Sequence, residues 1–158
     1  MSIFKKLLLL LSFIGTSTLG FSQTVFMLGP IVHFNFGEHK PRISYGFECS
    51  YWDVRYFNYG FDVGAEYESE KFRIYSELET GVGIAGVAAG PVFELNTTEN
   101  KTHLGFQGSV WTNFFLGFQY RKRWIDKTMF NCAGIYAKVP FIIGKNTASE
   151  TQKHWGWN

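Results

Sequence analysis

Between Tyr59 and Val82 apolar and polar residues alternate with a period of two, and the phase of the alternation flips once. Tyr59, Phe61, Val63, Ala65 and Tyr67 hold odd positions, separated by Gly60, Asp62, Gly64 and Glu66. After Glu68-Ser69-Glu70-Lys71 the apolar set resumes on even positions: Phe72, Ile74, Leu78 and Val82, with Ser76 and Thr80 among them. Arg73, Tyr75, Glu77, Glu79 and Gly81 make up the other face. Successive side chains of a strand point to opposite faces, so each half has one apolar and one polar side. A four-residue turn sets Tyr67 opposite Phe72 and keeps both apolar sets together. The stretch reads as a membrane-spanning β-hairpin.

The same pattern recurs on both sides of the hairpin. Phe26 to Phe36 puts Leu28, Pro30, Val32, Phe34 and Phe36 on one face, with Met27 and Ile31 intruding on the polar face. Pro30 lacks a ladder donor, which the start of a strand tolerates better than its middle. Ile43 to Tyr51 alternates Ile43, Tyr45, Phe47, Cys49 and Tyr51 with Ser44, Gly46, Glu48 and Ser50, and Trp52 to Asn58 reads as a linker. Gly83 to Gly86 reads as a turn, after which Val87, Ala89, Pro91, Phe93 and Leu95 carry the apolar face on odd positions. Asn96 to Thr102 is a polar loop. Leu104, Phe106, Val110, Phe114, Leu116, Phe118 and Tyr120 keep even parity over a stretch too long for one crossing of roughly 9–11 residues. A three-residue turn at Trp111-Thr112-Asn113 divides it and preserves parity, because Asn tolerates the left-handed conformation such turns use. Asp126-Lys127 turns the chain into a last strand, Asn131 to Phe141, with Ala133, Ile135, Ala137, Val139 and Phe141 on its apolar face. The total is eight strands in one all-β domain, an antiparallel up-and-down barrel spanning 23–143. A polar tail, 144–158, follows.

The first 22 residues read differently. Lys5 and Lys6 precede an apolar run from Leu7 to Ile14, then a small and polar region to Ser22. That order is the layout of a secretory signal peptide, with cleavage at Ser22–Gln23. The apolar run is shorter than the roughly 20 residues a spanning helix needs.

Alternation alone does not say whether the apolar face meets lipid or a dry core, since a soluble barrel inverts the arrangement. Three features point to lipid. The polar face is rich in glycine (Gly29, Gly46, Gly60, Gly64, Gly81, Gly90, Gly105, Gly117), which suits the narrow interior of an eight-stranded barrel. Lysine is nearly absent from that face and collects in turns and at strand ends (Lys40, Lys71, Lys101, Lys127). Tyr45, Tyr51, Tyr59, Tyr67, Tyr120 and Trp124 lie on the apolar face near strand ends, as interfacial girdles do. A mean hydropathy of −0.06 fits, because only alternate residues of a barrel strand face lipid. Glu48, Asp62, Glu66, Glu77, Glu79 and Glu94 then point inward with Arg73, Arg121 and Arg123. Buried charges need partners, so a salt-bridged plug is expected rather than an open pore, with Lys138 and His33 as further partners for the excess acids.

With this leader, strand number and pattern, the stretch Phe26–Phe141 resembles the small eight-stranded outer-membrane barrels of the OmpA and OmpX type, above all the short ones of Bacteroidetes-type bacteria. In that family the last strand ends in an assembly signal, to which Gly134, Ala137, Val139 and Phe141 correspond; the tail beyond Phe141 departs from it. The resemblance implies a location in the bacterial outer membrane, with outer-membrane lipid and the barrel-assembly machinery as partners, and a monomer. The role expected is structural or one of surface interaction.

Other classes find less support. A net charge of +2 with scattered basic residues gives no case for nucleic acid. Cys49 and Cys132 fall on opposite faces and do not pair. His33 and Glu48 could contribute to a metal or proton site, but no HExxH or close His/Cys spacing accompanies them. Ser109 and His103 share one strand's polar side without a triad, and GxSxG is absent. No catalytic, cofactor-binding or metal-ligating residue is therefore assigned, and no enzyme is expected. Asn96 and Asn100 begin N-x-T sequences that read as polar loop surface. The alternatives are a secreted or periplasmic soluble barrel holding a small apolar ligand, and an outer-membrane lipid-modifying enzyme acting through His103 or Ser109.

Overall fold

The period-two alternation becomes wall. A computed structural model of the chain describes residues 24–37, 40–53, 58–82 and 84–142. The leader with its cleavage point, the tail from Gly144, Gly83 and most of the linker after Asp53 lie outside the described residues. The strands are β1 (Thr24–Phe36), β2 (Arg42–Asp53), β3 (Tyr59–Glu68), β4 (Lys71–Val82), β5 (Ala85–Asn96), β6 (Lys101–Thr112), β7 (Leu116–Ile125), β8 (Thr128–Ala137) and β9 (Val139–Ile142). Each strand from β1 to β7 pairs antiparallel with the next, and β1 pairs with β2 on one side and with β8 and β9 on the other. β8 and β9 share one wall position, interrupted at Lys138, so the sheet closes as an eight-stranded barrel.

Register fixes the geometry of closure. Partner by partner, a path leaves β1 at Phe26 and crosses Tyr51, Phe61, Leu78, Ala89, Gly108, Lys122 and Asn131. It returns to β1 at Phe36, ten residues further on. A shear of ten over eight strands sets the strand tilt at roughly 40°. The start of β1, the end of β9 and the β2–β3, β4–β5 and β6–β7 connections lie at one end of the barrel. The other four connections lie at the opposite end.

The expected turns hold with their edges moved. Tyr67 does face Phe72, but pairing continues to Glu68–Lys71, leaving Ser69 and Glu70 as the turn, with Ser69 at φ 53°. The turn after β4 is shorter than Gly83 to Gly86, because Val82 already pairs with Ala85. β2 extends past Tyr51, so Trp52 is strand rather than linker. The turn expected at Trp111–Asn113 lies at Asn113–Phe115, with Asn113 at φ 65°; it remains three residues long, so parity is kept.

Pro30 sits in the middle of β1 rather than at its start. The β1 ladder to the last wall position runs in one register from Leu28–Val139 to Ile31–Tyr136, and no pairing is made at Gly29 or Pro30. The proline has no N–H to give there. Beside it, a Cβ on Gly29 would stand 1.7 Å from the Ala137 carbonyl oxygen. Gly90-Pro91 repeats the device on β5, where the ladder to β4 skips between Tyr75–Val92 and Leu78–Ala89. A Cβ on Gly90 would stand 1.9 Å from the Ser76 carbonyl oxygen. Missing side chains and missing donors let the sheet bend sharply enough to close.

Candidate functional site: a charged lumen closed at one end

Inward parity collects the polar face of every strand in a narrow space. The acids come from one wall: Glu48 of β2, Asp62, Glu66 and Glu68 of β3, Glu77 and Glu79 of β4, and Glu94 of β5, all buried. Arg121 and Arg123 of β7 and Lys138 reach across from the opposite wall, also buried. Arg73 is the exception, a cation on the acidic wall. The ion pairs are thus struts between distant strands.

Two carboxylates act as hubs. Glu66 accepts from both terminal nitrogens of Arg123, from Arg73 Nη1 at 3.1 Å, and pairs with His33 Nδ1 at 3.0 Å. Arg123 Nε donates to Gln107 Oε1 at 2.8 Å, and His33 Nε2 meets Gln119 Oε1 at 3.2 Å. Glu48 accepts from Arg121 and from the Tyr75 hydroxyl at 2.5 Å, and its other oxygen lies 2.5 Å from Lys138 Nζ. Arg121 also pairs with Glu77 at 3.2 Å, and Lys138 bonds Ser50 and Asp62 at 2.6 and 3.3 Å. Tyr75 stands between the hubs, with Arg121 4.2 Å and Arg123 5.7 Å from its ring centre. In such a low-dielectric space a pair stabilises where each charge keeps further hydrogen bonds, as Glu66 and Arg73 do, whereas Arg121 Nε and Nη1 have no partner among the described residues.

All nine inward charges expected from parity are inside, with Lys138 and His33 bound to them. Glu68 was missed because it borders the turn; it accepts from Arg73 at 2.8 Å and Asn35 at 2.6 Å. The pairing across the plug was not legible either, since Arg123 lies 57 residues from Glu66, Arg121 73 from Glu48 and Lys138 76 from Asp62.

The two ends of the lumen differ. At the end where β1 starts, Trp52, Trp111 and Phe114 close the interior, with ring centres 4.8 to 5.4 Å apart. Phe114 was expected on the outward face; in the turn it folds in over the two tryptophans, where its ring is half-buried. The Tyr136 hydroxyl ties the lid to the wall by donating to the Thr112 and Asn113 carbonyls. Trp52 falls in what reads as a linker and Trp111 in what reads as a turn, so the sequence marked none of the three as closing the interior. Met27 and Ile31, the apolar intruders of β1, belong to this interior and are 2% and 1% exposed. Between the lid and the Asp62 and Glu79 carboxyls the free space is about 10 Å³, room for one water.

The opposite end opens into a vestibule of about 340 Å³ lined by Asn35, Arg42, Glu68, Lys71, Arg73 and Phe130, among others. Arg73 forms its floor, held by Glu94 at 2.6 Å, and Lys71 reaches the same carboxylate at 3.0 Å. In the β5–β6 turn beside it, Asn96 caps the Thr98 and Glu99 amides. The Lys101 ammonium, bonded to Glu99 at 2.8 Å, holds that exposed carboxyl below the usual carboxylate range.

The residues considered for catalysis stand apart. Ser109 is buried and donates to Glu77 at 3.0 Å. His103 lies six residues away on β6, roughly 20 Å along the strand. His33 meets Glu66 rather than Glu48. Among the described residues no three His, Cys, Asp or Glu side chains are placed to hold a metal ion. Cys49 and Cys132 are unpaired, on opposite faces.

The outer surface carries the apolar set of every strand. Tyr45 and Tyr67 pack at 5.9 Å near the vestibule end, where Phe106 and Trp124 lie 6.4 Å apart. Phe26 and Phe141 pack at 6.4 Å near the other end, on the side of Tyr51 and Tyr59. Tyr120 differs from expectation in standing mid-strand, its hydroxyl donating to Asn131 Oδ1 at 2.7 Å.

No protein-family model matches the chain, and no curated protein matches it. Among solved structures it is similar to a chain from the de novo design of transmembrane β-barrels, with 17% identity and a TM-score of 0.52 over 73% of this chain and 95% of that one. At that identity the likeness concerns the fold. With the register and closure above, the chain is a small, closed, eight-stranded antiparallel β-barrel that resembles transmembrane barrels.

Proposed function

We propose that this protein is an outer-membrane barrel of the OmpA and OmpX kind, as in Bacteroidetes-type bacteria, with a structural or surface-interaction role and no catalytic activity. One observation carries the reading: the barrel is apolar outside and charged inside. Leu78, Leu104, Leu116 and Phe118 are each about 70% exposed, whereas Arg121 and Arg123 are fully buried. Water outside would leave the apolar belt uncovered; lipid covers it. Strands of 10 to 13 residues at a tilt of roughly 40° span about 25 Å between the two aromatic zones, the height of an outer-membrane apolar band.

The N-terminal leader supports export, and the even strand count puts both chain ends on the periplasmic side. The vestibule then faces outward, and its mixed-charge rim is the surface available for contact. The struts oppose conduction, and the water-sized space under the lid leaves no room there for an apolar ligand. The barrel-assembly machinery inserts the chain, and it works as a monomer, since closure leaves no sheet edge to pair.

Gel mobility of the membrane fraction, boiled against unboiled, tests the reading. A folded barrel in the membrane pellet that shifts on boiling supports it. Recovery in the soluble periplasmic fraction without a shift refutes it.

A further inference from the structure

The space under the aromatic lid is lined by more than packing. It measures about 10 Å³, room for one water, and Asp62, Glu79 and Trp111 border it together with Trp52 and Phe114. Those first three residues are 2%, 5% and 5% exposed. Each keeps a buried polar atom without a hydrogen-bond partner among the described residues: Asp62 Oδ1, Glu79 Oε1 and Trp111 Nε1. Buried polar atoms are costly unless paired, so three of them around one water-sized space call for an occupant.

The carboxyls identify it. Asp62 and Glu79 hydrogen-bond to each other through their side chains. Ionised carboxylates only accept, so that bond exists only with a proton between them. The charges nearby ask for the same proton. Glu48, Asp62, Glu77 and Glu79 are four acids, and among the described residues two cations reach them, Arg121 and Lys138. Lys138 stands 3.3 Å from Asp62 but only 2.5 Å from Glu48. Glu79 makes no salt bridge to a described residue. The other groups facing the pair are Glu48 and Ser50 of β2, Glu77 opposite Asp62 in register, and Tyr136 of β8. Asn113 and Gln119 add neutral groups. The Trp111 indole N–H opposes a metal cation and suits a water, which accepts from it and donates to the carboxyls.

The lid rests on this pair. Trp52 and Glu79 press together over Gly60, where a Cβ would stand 2.7 Å from the indole and 2.8 Å from Glu79 Oε1. Trp52 in turn packs edge-on against Trp111, with ring centres 5.4 Å apart. Without the proton, two carboxylates would lie side by side in a low-dielectric space with one lysine for both. Glu79, which has no cation of its own, then has to take up water.

We propose that Asp62 and Glu79 share one proton beside a bound water, and that this proton latches the lid. Its release to base in the surrounding water parts the carboxylates, hydrates Glu79 and loosens Trp52 and Trp111. The site needs the closed barrel and not the lipid outside it, so it is tested apart from the membrane reading above.

The test uses the protein without its leader, folded in detergent micelles in D₂O. Infrared absorption reads the carbonyl stretch of protonated carboxyls, and tryptophan emission reads the lid. The expected result is a band of one carboxyl per barrel at neutral pH that vanishes as the pH rises, with emission moving to the red over the same interval. Glu79→Gln, whose amide donates to Asp62 as the proton does, should abolish the band and hold the emission constant. Should that variant fail to fold, Asp62→Asn makes the same removal. No band in the folded wild type, or a band undiminished in the folded variant, overturns the shared proton. A band that vanishes without an emission shift, or lasts until the barrel unfolds, overturns the latch. An emission shift on adding sodium at fixed pH overturns the proposal too, because it makes the occupant a metal cation.

Discussion

Replacing Arg123 by methionine should be among the most damaging single changes in the barrel, and its cost can be worked through bond by bond. Arg123 is fully buried and makes two bonds to Glu66 and one to Gln107. Removing one partner of a buried pair costs about 3–5 kcal/mol, because the other charge stays behind. Glu66 keeps Arg73 and His33, which places its share near the lower figure. Gln107 keeps none: its Nε2 already lacks a partner, and its Oε1 would join it, adding about 1 kcal/mol. The expected total is about 4 kcal/mol. Arg73→Met should cost less, about 2 kcal/mol, although Arg73 touches three acids. Glu94 would keep Lys71, Glu68 would keep Asn35, and the vestibule lets water in. In the double variant with Glu66→Gln, the loss should fall short of the sum by about 2 kcal/mol or more, since no stranded carboxylate remains. Urea unfolding of the protein in phospholipid vesicles, followed by tryptophan fluorescence, measures the wild type, the three single variants and the double variant. An Arg123→Met cost under about 1 kcal/mol, or one below that of Arg73→Met, would refute the strut picture.

Other expectations follow from the same geometry. Gly29→Ala should destabilise by more than about 3 kcal/mol and erase the heat-resistant band, because the new methyl meets backbone; Gly108→Ala, with open space outside, should stay within about 0.5 kcal/mol in the same unfolding assay. Gly64→Val should displace the Tyr75 ring, whose Cζ would lie 2.2 Å from a Cβ at position 64, and cost about 2–3 kcal/mol through the lost hydrogen bond to Glu48. In planar bilayers the wild type should show no unit conductance, and Trp52→Ala should show none either, because the struts lie above the lid; ohmic channels in the wild type would contradict the plug. Ser109→Ala and His103→Ala should leave membrane lipid composition unchanged, measured by thin-layer chromatography of radiolabelled envelopes; loss of a modified lipid in either variant would favour the enzyme.

Much of the fold could be read in advance, for a local reason. Parity depends only on neighbouring residues, and a one-residue slip would turn every side chain to the wrong face. Hence the inward positions of Glu48, Glu66, Arg121 and Arg123, and the Tyr67–Phe72 pairing, follow from the order of residues alone. Turn edges were misplaced at Trp52 and Asn113 because strand pairing, not composition, decides where a ladder ends. Pro30 was displaced for a related reason: its missing donor is harmless where closure already opens the ladder beside Gly29.

The alternation, the strand number and the two chemically opposite faces are local properties, set by bonds and side chains within a few residues of each other. Who pairs with whom across the lumen is a property of the closed barrel. Lys138 and Glu48 are 90 positions apart in the chain, and nothing local links them. A shear of ten brings them together, and the same register carries Phe114 over the tryptophans. Those contacts form when the barrel closes, since closure alone fixes which inward side chains face each other across the lumen.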